Sequence, residues 1–161
     1  MDHVDNVIEQ WRCEKPHLNT QSMATVGRIK RLSLFFGREM EKTFKSFGLN
    51  AASFDMLATL LRSGPPYTLS PSELMASTMV TSGTMTNRID QLEKAGLITR
   101  TQSESDKRSV MITLNEKGHS LINKAILSHV ETLDGLTSML SGTEAAILNN
   151  ILKKMNVHFE C

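Results

Sequence analysis

Ser70-Pro71-Ser72-Glu73, then Thr81-Ser82-Gly83-Thr84-Met85-Thr86-Asn87-Arg88, then Ser105-Asp106-Lys107-Arg108 mark out the stretch from Ser70 to Leu114 whose reading decides the fold. Ser70 can cap a helix, Pro71 can occupy its first turn without wasting a donor, and Glu73 can reach back to the cap. A second helix is predicted from about Ser82 to Ala95, with Met85, Ile89 and Leu92 on its apolar side. Gly96 followed by Leu97 suits a left-handed stop with a hydrophobic clasp. Leu97–Thr101 and Ser109–Leu114 read as strands, since Val110, Ile112 and Leu114 alternate with Ser109, Met111 and Thr113. Helix, turn, helix and a charged-tipped hairpin make a winged helix-turn-helix. The predicted class is mainly α, with a two-stranded wing and an α-helical dimerisation region.

Outward from that stretch, the chain is helical. Val4, Val7, Ile8 and Trp11 share one face of a helix from about Val4 to Cys13, which Lys15-Pro16 ends. A long helix is predicted from about Ser22 to Phe47, stopped by Gly48, with Val26, Ile29, Phe36, Met40 and Phe47 on its apolar face. Asn50 can cap a third, carrying Phe54, Leu57 and Leu61, which Gly64-Pro65-Pro66 ends. After the hairpin, Asn115 opens a helix to about Leu136, and Ser141-Gly142-Thr143-Glu144 opens the last, ending near Phe159. These terminal helices carry more large aliphatic residues than one small winged domain can bury, so a homodimer, most simply C2-symmetric, is expected. The organisation expected is a single domain over 1–161. Within it, 1–47 and 115–161 form the helical dimerisation region and 50–114 the DNA-binding region.

At 161 residues the chain is long enough for one real core. Its net charge of +1 weakly opposes a generic polyanion binder but does not decide, because a DNA-binding dimer needs only a local basic face. Arg28, Lys30, Arg31, Arg38, Lys42 and Lys45 all fall in the long early helix. Cys13 and Cys161 have neither metal nor disulfide spacing, which points to reduced thiols. No apolar run approaches a membrane span, and Met1-Asp2-His3-Val4-Asp5 does not read as a leader, so a cytoplasmic protein is expected. The histidines lack ligand spacing. With no nucleophile–base pair, phosphate loop or metal set, neither an enzyme nor a bound cofactor is expected.

What remains is recognition of double-stranded DNA. Thr81, Ser82, Gly83, Thr84 and Thr86 are small enough to let a helix start approach a phosphate or base edge. Asn87 suits adenine, and Arg88 suits guanine or phosphate. On the hairpin, Arg108 suits the narrow minor groove, with Lys107 beside it and Asp106 aiming the guanidinium.

The stretch from Ser70 to Gly118 resembles the winged helix-turn-helix core of the MarR family of bacterial regulators, with Asp106-Lys107-Arg108 matching its wing signature. Trp11 with Glu14-Lys15-Pro16-His17-Leu18, Gly27-Arg28, Phe54-Asp55-Met56-Leu57-Ala58-Thr59-Leu60, Gly64-Pro65-Pro66-Tyr67 and Thr81–Arg88 are similar to the urate-responsive branch of that family. Ser109, Lys15 and His17 depart from its usual glycine, arginine and aspartate. The resemblance implies a homodimeric repressor on a palindromic operator, released by a small anionic aromatic effector such as urate or xanthine. It places the ligand residues at Trp11, Asp55, Arg88 and Arg100. Their chemistry is coherent: an indole stacks on a purine, guanidinia pair with its anionic edge, and Asp55 is expected to hold Arg100 until an anion disturbs the pair. Two alternatives are a thiol-based oxidation sensor using Cys13 and a winged module that binds proteins without DNA specificity.

Overall fold

A computed structural model describes residues 1–78, 85–102 and 110–160. The chain forms two compact units, Met1–Glu39 and Met40–Cys161.

In the first unit, α1 (His3–Glu14) is started by Asp2, whose carboxylate accepts from the Val4 and Asp5 amides at 2.7 and 2.9 Å, while Asp5 accepts from the Asp2 amide at 2.8 Å. α2 (Gln21–Ser46) begins in this unit and runs into the next. Its Arg28 grips the start of α1, with Nε 2.8 Å from Asp2 and Nη2 on Asp5. Arg28 is the main influence holding the Asp2 carboxyl below its usual range, and the Asp2 amide does the same for Asp5. Val4 seats on Gly27, where an added Cβ would lie 3.5 Å from its Cγ1. The capping aspartates and a small residue opposite Val4 therefore set α1 against α2.

The second unit is built on α3 (Ala51–Arg62), capped by Asn50, which accepts from the Ser53 amide at 2.8 Å. Phe54, Leu57 and Leu60 enter the core, Leu57 and Leu60 with no exposure. Burying such a side chain contributes about 1.5–3 kcal/mol. Around α3 lie α4 (Pro71–Ser77), α5 (Met85–Lys94), β2 (Ile98–Gln102), β3 (Val110–Leu114) and α6 (Glu116–Thr137). They supply Leu74, Ile89, Leu92, Ile98, Ile112, Leu114, Ile122 and Ala125 to the same core. The final helix, α7 (Gly142–Phe159), has no buried residue.

The wing carries one strand more than expected. Beside the predicted antiparallel pair, a two-residue strand, β1 (Thr68–Leu69), joins β3, giving the order β1-β3-β2. Thr68 faces Thr113 across the ladder, their hydroxyls 2.8 Å apart. The run after Gly64-Pro65-Pro66 is too short to show alternation, so only its pairing reveals it as a strand. Ile112 and Leu114 point inward, whereas Val110 lies exposed at the strand's outer end.

Gly118 locks this arrangement. A Cβ there would lie 2.0 Å from the Leu97 carbonyl oxygen and 2.8 Å from Leu114 Cδ1, so the first turn of α6 packs directly on the backbone that enters β2.

Candidate nucleic-acid interface

The two helices that would face DNA are both short and both held at their ends. Ser70 and Glu73 form the expected reciprocal cap on α4. The Glu73 amide donates to Ser70 Oγ at 3.2 Å, and the Ser70 amide donates to Glu73 Oε2 at 2.8 Å. That second bond is the leading cause holding the Glu73 carboxyl below its usual range. Leu74, fully buried, is the only apolar anchor of α4.

α5 turns Ile89 and Leu92 inward and leaves Thr86, Asn87, Gln91 and Lys94 exposed, with Arg88 half-buried. Thr86, Asn87 and Arg88 thus lie on the described part of the reading helix. Arg88 has no ion pair among the described residues. Thr81, Ser82, Gly83 and Thr84, and the wing residues Asp106, Lys107 and Arg108, lie outside the described residues. Gln91, one turn beyond Asn87, was not singled out from sequence. An amide there can contact adenine as Asn87 can, and its i+4 spacing from Asn87 was the available signal.

The end of α5 is closed from α6. Gly96 takes the left-handed conformation (φ +69°), and the Leu97 amide returns to the Leu92 carbonyl at 3.0 Å. Lys117 Nζ donates to the Ala95 carbonyl at 2.8 Å, and Asn115 Nδ2 donates to the Gly96 carbonyl at 3.0 Å. These contacts satisfy carbonyls that no helical amide can reach.

Arg100 does not meet Asp55. From β2 it spans two carboxylates of α5, donating to Asp90 through Nη2 and to Glu93 Oε2 through Nη1 at 2.8 Å. The Asp90 bond holds the guanidinium still more firmly protonated. Asp55 instead has Arg62 as its guanidinium neighbour, 3.7 Å from Nη1. The reason lies in spacing. Asp90 and Glu93 are one turn apart on the helix that leads into β2, whereas Asp55 and Arg62 share a face of α3 two turns apart. Arg100 also offsets one of the two negative charges that Asp90 and Glu93 place on the reading helix, which would otherwise repel phosphate.

Trp11 belongs to the first unit and is 38% exposed. With Glu14, Lys15, Pro16, His17 and Leu18 it lines an open hollow of about 500 Å³. Cys13 is exposed, and Cys161 lies outside the described residues. Among the described residues, no group of three His, Cys, Asp or Glu side chains could hold a metal, and no helix is long and apolar enough to cross a membrane.

Residues 49–110, the segment holding α3, β1, α4, α5 and β2, match the model of the MarR family. Over 155 residues the chain is 39% identical to the HTH-type transcriptional regulator PecS of Dickeya dadantii, covering 96% of this chain and 93% of that one. The chain belongs to the MarR family. Among solved structures, the operator-DNA complex of a cysteine mutant of MarR from E. coli is 25% identical, covering 84% of this chain and 96% of that one with a TM-score of 0.72. AbsC, a MarR family transcriptional regulator from Streptomyces coelicolor, shares the fold at a TM-score of 0.76 and 23% identity, over 89% of this chain and 96% of its own. As a MarR-family protein the chain is a DNA-binding winged-helix transcriptional regulator and not an enzyme.

Proposed function

We propose that this MarR-family regulator is a homodimeric repressor of a palindromic operator, released by a small anionic purine such as urate or xanthine. Trp11 is the observation that carries the effector reading. A half-exposed indole beside a hollow of about 500 Å³, with Glu14 and Lys15 on the same rim, offers a flat apolar surface next to the cationic group of Lys15. A purine anion needs that pairing of a stacking face with positive charge. Arg88, without an ion pair among the described residues, and Arg100 supply guanidinia elsewhere on the chain. Because Arg88 sits on the reading helix, drawing it toward a ligand would reposition the DNA-reading surface. Dimerisation is supported by α7, whose Ile147, Leu148, Ile151 and Leu152 are all exposed in the single chain.

Two half-sites about 10 bp apart would be engaged, and release needs a coupling of about 1–3 kcal/mol between effector and DNA. The test is a purine titration against the protein bound to DNA from upstream of its own coding sequence. Urate or xanthine is expected to free the DNA from wild type, and much less from Trp11→Ala or Asp55→Ala. Calorimetry showing no purine uptake at millimolar concentration would remove the effector part. On the DNA side, Arg108→Ala is expected to weaken binding and lower the salt slope by about one unit, as one phosphate-proximal cation is lost.

A further inference from the structure

Arg62 lies outside the reading helix and the wing, yet it reaches the end of α4. Its Nη2 donates to the carbonyl of Ser77, the last residue of that helix, while Nη1 lies 3.7 Å from Asp55 Oδ1. We propose that Arg62 is a positioning residue for DNA binding, holding the C-terminal end of α4 and so fixing the point from which the chain departs toward α5.

The argument starts from how little else holds α4. The helix has seven residues, one buried side chain, Leu74, and no basic residue in its own last turn. The final carbonyls of any helix lack internal partners and carry the negative end of its dipole. Here Thr78 satisfies two of the nearby ones, its amide donating to the Leu74 carbonyl at 3.0 Å and its hydroxyl to the Met75 carbonyl at 3.1 Å. Thr78 itself is extended (ψ 145°), so the chain leaves the helix at that residue. The Ser77 carbonyl receives its donor and its cation from a different helix.

Asp55 makes that reach specific. Its side chain is only 14% exposed and sits two turns from Arg62 on the same helix, so it can aim one arm of the planar fork while the other meets the carbonyl. The end of α5 is treated the same way by Lys117 of α6 and by Asn115, which caps that helix. Each helix of the DNA-reading pair is therefore fastened at its C-terminus by a side chain from a neighbouring helix. A ligand that engaged Asp55 would loosen the fastening of α4. That consequence rests on the effector reading above, and the experiment below contains no effector.

Full-length wild type, Arg62→Ala, Arg62→Gln and Arg62→Lys are titrated against the same upstream DNA fragment at several salt concentrations, with thermal unfolding measured for each. Arg62→Ala is expected to bind about tenfold more weakly, equivalent to about 1.4 kcal/mol. Its salt slope is expected to stay at the wild-type value, because no phosphate contact is lost. Its Tm is expected to stay close to wild type, because the guanidinium is itself half-exposed and its contact with Asp55 is as long as 3.7 Å, so the pair adds little to folding. Arg62→Gln and Arg62→Lys, which keep a donor, are expected to recover part of the affinity. Wild-type affinity in Arg62→Ala would overturn the proposal. So would a salt slope lower by about one unit, which would make Arg62 a phosphate contact, and so would a loss of affinity matched by a large fall in Tm. Absence of binding by wild type to any duplex would instead sink the repressor reading.

Discussion

α3 and α7 are both capped amphipathic helices of one chain, yet they stand in opposite conditions. The twelve residues of α3 bury Phe54, Met56, Leu57, Thr59 and Leu60, while the eighteen of α7 bury none. The cap on α7 is as complete as any in the chain. The Glu144 amide donates to Ser141 Oγ at 3.3 Å, and the Ser141 amide donates to Glu144 Oε2 at 2.8 Å. Local signals thus make both helices, but only α3 is held by tertiary burial within the chain. Most helical stability in proteins comes from packing an apolar face rather than from propensity. α7 is thus left with its apolar face uncovered in the single chain, and the proposed dimer would supply the missing half of its core.

The largest expected effect breaks the self-sufficient region. Gly118→Ala places a Cβ against the Leu97 carbonyl, a backbone atom that cannot rotate away. A loss of about 3 kcal/mol or more is expected in denaturant unfolding, and a wild-type midpoint would contradict the close approach. Next, one chemical change made in both regions sharpens the contrast. Leu57→Ala is expected to cost about 2–5 kcal/mol of folding stability, with the DNA-reading unit affected whatever the protein concentration. Leu148→Ala with Ile151→Ala is expected to leave the winged core folded and to shift sedimentation toward the monomer. Equal effects of both changes on dimerisation would erase the distinction.

The smallest expected effect concerns His129, which packs against the core of the second unit. Its ring lies 4.9 Å from Phe54 and 5.2 Å from Phe44, and its Nδ1 is buried without a hydrogen-bond partner among the described residues. Burial pushes its pKa down. Below the unfolded imidazole's value of about 6.5, the unfolded chain binds a proton more readily than the folded one. Stability is therefore full above that pH and declines as pH falls toward the depressed folded value. His129→Phe is expected to flatten the Tm profile between about pH 7 and 5. An unaltered profile would show that the imidazole titrates as freely folded as unfolded.

Much of the winged unit was legible because its signals are local. Ser70-Pro71-Ser72-Glu73 specified a helix start through atoms three residues apart, and Gly96 a stop through one backbone angle. The strand β1 was not legible, since two residues carry no period and exist as a strand only through β3. The partners of the charged groups were not legible either. Asp55 and Arg100 both carry chemistry that fits a pair, yet each has a nearer partner once the helices are placed.

Residues within a few positions of one another thus wrote the helices, their caps, the hairpin and the family likeness, since those depend on contacts made inside a turn or two. Packing alone settled which carboxylate each arginine meets, why Gly118 tolerates no side chain, and which helix is left with its apolar face uncovered. Those outcomes depend on distances between segments far apart along the chain, which exist only after the backbone has closed around its core.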